Sequence, residues 1–398
     1  MKPIEYKELF ERELFESCIP FWLAHGVDEV NGGLYSCLDR EGNIYSTDKS
    51  VWMQGRCAYM FSKLSNTFGA REEWLKLAKS CLDFLEEHCI DADGRMYFTV
   101  TADGKPLRKR RYMFSETFYI IANAEYYKAT GDETALARAR KYYDFVCAMY
   151  DDPNTDPYKI TPKSVPGVRD TKALAVPMIL LNVTTVMFEA DKERYDLYDK
   201  RARSLVEDVK SFRYEDTGFM LESVGLNGEY YGDVSSARVV NPGHSIELSW
   251  FLMDEAEREG DDELFAYAER IFNTAIDFGW DSKYGGILYF RDLEGKPVEA
   301  YEHDMKLWWP HNEAVIASLK LYKKTGNPKY WEYFERVADY AFKHFSDFKY
   351  GEWYGYLRRD GKPTEPPCKG HTYKGPFHVL RMLTQGIGIL TELSAENA

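Results

Sequence analysis

The chain is short of the features that mark several large classes of protein. Its seven cysteines are odd in number and form no CxxC pair, so no disulfide framework is indicated, and reduced thiols point to a cytoplasmic location. No apolar stretch reaches the roughly 18 residues of a membrane span, and residues 1–14 are charged and amphipathic, unlike a signal peptide. Positive charge is in deficit: 51 Lys and Arg face 65 Asp and Glu, and the net −14 repels nucleic acid and anionic membranes alike. There is no Pro/Gly/Ser-rich linker, low-complexity block or shift of composition, so residues 1–398 are expected to form one domain. No Gly-rich phosphate loop follows a strand pattern, and Gly386-Ile387-Gly388 lies in a helical pattern without a third glycine. No nucleophile elbow is present. His244-x-x-Glu247 has metal-ligand spacing, but no second cluster matches it, and no metal is expected.

Aromatic residues, in contrast, are plentiful at 16% of the chain, with 30 Tyr and 9 Trp. That surplus suits the packing of a large helical repeat protein, and equally the stacking of rings on the C–H faces of sugars. The basic run Arg108 to Arg111 is either an anion-holding cluster or a solvated strand end. The glycosylation sequon at Asn182-Val183-Thr184 follows an apolar run and is expected inside a buried helix.

A repeat organises the whole. Turn dipeptides recur at Glu41-Gly42, Asp103-Gly104, Asn227-Gly228, Glu294-Gly295 and Asp360-Gly361, spaced 62, 124, 67 and 66 residues apart, with a degenerate copy expected near Tyr158 to Lys163. Each follows a short Gly-aromatic strand and precedes a long helical pattern, the mark of a repeated supersecondary unit. Amphipathic helices (Glu73–Glu87, Glu133–Tyr150, Arg194–Val209, Asp262–Phe278, Pro328–Phe345) alternate with helices apolar on nearly every side (Val51–Leu64, Ser115–Tyr127, Ala173–Met187, Ser245–Glu255, Asn312–Tyr322, Phe377–Leu393). All-round apolarity requires burial, so the expected fold is all-α, an (α/α)6 barrel of two concentric helix rings with β-hairpins at one end. The mouth where the inner helices begin is the place to look for chemistry.

Three of only eight histidines fall at those helix openings. His244 and His378 hold near-equivalent places in the fourth and sixth units and are the expected proton-transfer pair, leaning in from opposite walls; imidazole, with a pKa near 6.5, both gives and takes protons near neutrality. Glu247, one turn from His244, and Glu313 are placed to tune the histidines. Arg56, Arg238 and Lys306 could hold the negative charge that develops on a carbonyl oxygen when its neighbouring carbon is deprotonated. Gln54, Glu116 and Tyr119 offer groups for substrate hydroxyls. Trp52, Asn241 and Trp309 complete the expected substrate contacts, with His311 either one more of them or a structural neighbour of Trp309.

Asn241-Pro242-Gly243-His244-Ser245-Ile246-Glu247, Lys306-Leu307-Trp308-Trp309-Pro310-His311-Asn312-Glu313 and Lys374-Gly375-Pro376-Phe377-His378 together resemble the N-acylglucosamine 2-epimerase family, as do Val51-Trp52-Met53-Gln54-Gly55-Arg56, Phe114-Ser115-Glu116 and Ala175-Val176-Pro177-Met178. The resemblance implies cofactor-free interconversion of sugars epimeric at C2, with catalytic histidines at His244 and His378 and with Arg56 and Glu313 in the site. It is nearest the N-acetylglucosamine branch, some members of which bind ATP as an activator that is not consumed. A small-molecule sugar is the implied substrate and a homodimer the expected assembly. Cellobiose 2-epimerisation and mannose-type isomerisation are alternatives on the same site. An inverting glycoside hydrolase, with Glu116 and Glu313 as its carboxylates, and a non-catalytic binding protein are rivals of other kinds.

Overall fold

Helices that are buried on every side account for the centre of the molecule. The computed structural model describes residues 1–110, 112–158 and 165–396, so the degenerate turn copy beyond Tyr158 and Arg111 of the basic run lie outside the described residues. In chain order, α1 (Pro3–Arg12) runs through a π-helical segment (Glu13–Cys18) into α2 (Ile19–His25). There follow α3 (Val51–Phe68), α4 (Glu72–His88), α5 (Phe114–Thr130), α6 (Glu133–Asp151), α7 (Ala175–Ala190), α8 (Tyr195–Lys210), the short α9 (Ser235–Arg238), α10 (Pro242–Glu259), α11 (Asp262–Gly279), α12 (Trp308–Thr325), α13 (Pro328–His344) and α14 (His378–Glu396). In α5 every residue from Phe114 to Tyr126 is buried, whereas α4 buries Trp74, Leu77, Ala78, Cys81, Leu82, Phe84 and Leu85 along one stripe.

The inner helices touch in the order α3, α5, α7, α10, α12, α14 and back to α3, which closes a ring; α4, α6, α8, α11 and α13 pack outside. The expected (α/α)6 barrel is thus the fold. Outside α14, the place of an outer helix is taken by α1, which packs against it. Corners at the far end are local chemistry: Gly131, Gly260 and Gly326 end inner helices in the left-handed region, and Asp132, Asp261 and Asn327 next to them cap the outer helices that follow.

The hairpins gather at the other end. Leu34, Met96, Met220, Ile287 and Trp353 each pair with the segment leaving an outer helix. The two or three residues that lead into an inner helix then pair with the next unit's hairpin, as in Lys49–Ser50 with Thr99–Val100 and Lys306–Leu307 with Tyr356–Leu357. Asp39 bridges Cys368 and joins the first unit to the last. The turn glycines Gly42, Gly104, Gly228, Gly295 and Gly361 all have φ between 75° and 90°, the conformation their dipeptides predict. A Cβ at Gly104 would lie 2.2 Å from the His88 ring and one at Gly42 2.4 Å from His25, so these histidines serve as packing faces for the turns.

Candidate active site

All six inner helices line one cavity of about 700 Å³ at the hairpin end. Its chemistry is concentrated on α10, α12 and α14. Asn241 caps α10 by accepting the His244 N–H at 3.1 Å, and Pro242 at the first helical position fixes the entry angle. Gly243 has no Cβ because Trp309 and Pro310 lie 2.7 and 2.8 Å from where it would be. This close approach sets the Trp309 indole beside His244, ring centres 5.1 Å apart, while His378 lies 5.8 Å from the same indole on the other flank. The histidines therefore stand two helices apart with Trp309 between them, not on opposite walls of the ring as the repeat alone suggested. The last helix opens at His378, so Pro376 lies just ahead of its first turn.

Each imidazole is held through Nδ1 by its own carboxylate. Glu222 Oε2 lies 2.9 Å from His244 Nδ1, and Glu313 Oε1 lies 2.7 Å from His378 Nδ1. A carboxylate at Nδ1 keeps the proton there in the neutral ring and leaves Nε2 as the basic nitrogen. The two rings differ in charge preference. For His244, burial works against the charged form, but the Glu222 carboxylate outweighs it, with Glu247 adding, and its pKa lies above the ordinary value. For His378, burial is joined by the Arg381 and Arg56 guanidiniums, and its pKa lies well below the ordinary value. Their side chains are 25% and 8% exposed, in keeping with the difference in solvation.

Arg381 ties the floor together. Its guanidinium pairs with Glu247 and, at 2.8 Å, with Glu313, whose other oxygen accepts the Trp250 indole N–H at 2.8 Å. Glu247, Glu313 and His378 are close enough to share a cation, and the Arg381 guanidinium already lies against both carboxylates. Glu247 thus pairs with Arg381, and Glu222 takes the place at His244 expected for it. Arg56 is different. Its guanidinium lies between the Phe118 and Phe377 rings at 4.2 and 4.6 Å, and among the described residues it makes one long bond, 3.4 Å, to the Tyr373 carbonyl. Burial pulls its pKa down to about 9, so it stays charged at neutral pH with N–H groups to offer the cavity.

Several expected contacts turn away from the cavity, and the repeat explains why. Gln54, Glu116 and His311 sit at matching places in α3, α5 and α12, and each accepts the N–H of the strand residue in the hairpin before it: Leu34 at 2.8 Å, Met96 at 2.8 Å and Ile287 at 2.9 Å. A buried amide without a partner is costly, and these side chains supply one. Burial drives the His311 pKa down to about 3, which suits an acceptor nitrogen. Glu116 also binds Arg95 Nε at 2.6 Å, so it is no partner for Glu313 in a hydrolase pair. Lys306 is likewise part of a repeated device. It pairs with Asp281 at 3.0 Å, as Lys49 pairs with Asp28 and Lys369 with Asp347, all six side chains being buried. Arg238 binds Asp292 at 2.9 Å, Asn241 is the cap described above, and Tyr119 is buried against Tyr142. Trp52 and Trp309 do line the cavity, with Arg56, Glu247, His244 and His378. In the basic run, Lys109 pairs with Asp91 and Asp93, and Arg110 covers the Phe98 ring.

Glu222 and Arg381 escaped the sequence reading. Arg381 lies one turn beyond His378 on one helix face, a spacing that could have flagged it; Glu222 meets His244 only through hairpin closure.

The model of the N-acylglucosamine 2-epimerase (GlcNAc 2-epimerase) family matches residues 33–379. N-acylglucosamine 2-epimerase of Bos taurus is 36% identical over 397 residues, covering 98% of this chain and 92% of the bovine protein. Cellobiose 2-epimerase of Ruminococcus albus is 26% identical over 407 residues, covering 95% and 98%. The solved cellobiose 2-epimerase from Spirochaeta thermophila DSM 6192 superposes with a TM-score of 0.84 at 20% identity, covering 98% of each chain, a likeness of fold. The protein is an isomerase of the sugar 2-epimerase kind, and its chain belongs to the N-acylglucosamine 2-epimerase family.

Proposed function

We propose that the protein interconverts N-acetyl-D-glucosamine and N-acetyl-D-mannosamine through an enolate of the open-chain sugar. The observation that carries this reading is the histidine pair flanking Trp309, one ring biased towards the neutral form and the other towards the charged form. Neutral His378 takes the C2 proton on one face as the C2–H electrons pass into the C1–C2 bond and charge gathers on the C1 oxygen. Imidazolium His244 returns a proton to C2 from the other face, and the C1 carbonyl re-forms. The opposite direction uses the same groups in exchanged roles. One base cannot reach both faces of a held intermediate, whereas two bases flanking it can. Arg56, the cavity guanidinium not committed to a carboxylate, is the donor for the C1 oxygen. The choice of the N-acetyl sugar is supported by the bovine relative, and cellobiose and mannose are the competing substrates on this site. The proton transfers use side chains alone, so the scheme requires no cofactor.

Incubation with N-acetylmannosamine, cellobiose and mannose in deuterium oxide, with and without ATP, tests the scheme. Turnover of the N-acetyl sugar with one deuterium at C2 of the product is expected; epimerised product with hydrogen retained at C2 would sink the solvent-exchanging two-base route.

The active pair carries one proton in total. Activity should fall at high pH, when His244 loses its proton, and at low pH, when His378 gains one; these limbs belong to the pair. Glu222→Gln removes the carboxylate that holds the His244 pKa up. The alkaline limb of the kcat/KM profile should therefore move to lower pH. An unmoved limb would show that Glu222 does not set the charge of His244.

A further inference from the structure

The stretch of cavity wall formed by α5 and α7 is apolar with one exception. Phe118 and Ile121 on α5 and Met178, Ile179 and Val183 on α7 form a continuous hydrocarbon wall, and Asn182 lies in it. The Asn182 side chain makes no hydrogen bond to a described residue, although it lines the cavity and is half-buried. An asparagine inside a helix, on an apolar wall and with no partner, gains nothing from the fold: leucine would favour both the helix and the wall. The unused group is an amide, with an acceptor and a donor in one plane.

We propose that Asn182 recognises the 2-acylamino group of the substrate, pairing amide to amide, while Ile179, Val183 and Phe118 enclose the acyl chain. The inference rests on the N-acyl sugar reading above and deepens it. During inversion C2 becomes planar, and C1, C3 and the nitrogen lie in that plane with a histidine on each face. The acyl group must then leave within the plane, away from both imidazoles. Trp309 on α12 blocks one side, and in a closed ring of six the wall facing α12 is α5, with α7 beside it. Depth agrees: all inner helices start at the mouth, Asn182 is the eighth residue of α7 and His244 the third of α10. At 1.5 Å per residue the amide lies about 7 Å below the histidine, within reach of a group extending from C2. A C2 hydroxyl is too short to span that gap, so the pairing selects acylamino sugars.

The test is kcat/KM for N-acetylmannosamine in Asn182→Leu and Asn182→Ala, with melting temperature and affinity for N-acetylglucosamine measured alongside. Both variants should melt as the wild type does, lose about 10- to 100-fold in kcat/KM mainly through KM, and bind N-acetylglucosamine correspondingly more weakly. Should Asn182→Leu fail to fold, the smaller Asn182→Ala carries the same readings. A folded variant within threefold of wild type in both kcat/KM and affinity overturns the assignment alone. A wild type that epimerises cellobiose or mannose but neither binds nor turns over the N-acetyl sugars overturns it together with the substrate reading.

Discussion

Replacing His378 with asparagine, which keeps a donor for Glu313, is expected to lower kcat for N-acetylmannosamine by about 10³-fold, and His244→Asn should do the same, the usual scale for a positioned acid or base. The informative part of the result is what survives. Each variant keeps one imidazole, and that imidazole faces one side of C2. In deuterium oxide His378→Asn should still exchange the C2 hydrogen of one epimer without producing the other, and His244→Asn should exchange the other epimer. Proton NMR of each sugar after long incubation reads this directly. Exchange of the same epimer by both variants would mean that the histidines do not address opposite faces, and the two-base scheme would fall. Stability should change little, because Glu313 keeps its bonds from Trp250 and Arg381 and Glu222 is partly exposed.

The second large effect concerns Arg381, which touches Glu247, Glu313 and His378 at once. Arg381→Met preserves much of the bulk and removes the charge. Two buried carboxylates then share the cavity floor without their cation. Loss of one partner from a buried pair costs on the order of 3–5 kcal/mol, which in a chain of this size lowers the melting temperature by about 5 °C. The same change removes a cation that holds His378 neutral, so the acid limb of the pH profile should move to higher pH. A variant that melts like the wild type, with an unmoved acid limb, would show that Arg381 neither balances the floor nor sets the charge of His378. Stability and pH profile together separate this positioning role from simple damage to the fold, which would leave the acid limb in place.

Much of this was legible before any coordinates. Turn dipeptides demand positive φ wherever they occur, and Gly42, Gly104, Gly228, Gly295 and Gly361 supply it. Helices apolar all round have no stable place except the interior, which made α5 and α7 inner helices from composition alone. His244 and His378 stood out because they matched each other across units. These are local rules, or rules of periodicity, and a linear sequence carries both. Side-chain direction at the mouth is another matter. Gln54, Glu116 and His311 look as chemical as His378 in the sequence, yet each turns to a strand amide that the hairpin leaves without a partner. Lys306 looks like an oxyanion donor until Asp281, 25 residues away, is seen beneath it. Glu247 and Arg381 meet across 134 residues, and Glu222 reaches His244 only once the hairpin has folded back.

The sequence by itself determined the ring, its mouth and the two histidines, because hydrophobic period and turn chemistry act between near neighbours. Only the tertiary structure decided which polar side chains at that mouth remain free for a substrate. A buried polar group goes first to the nearest unsatisfied backbone or charge, and that neighbour is set by closure of the barrel.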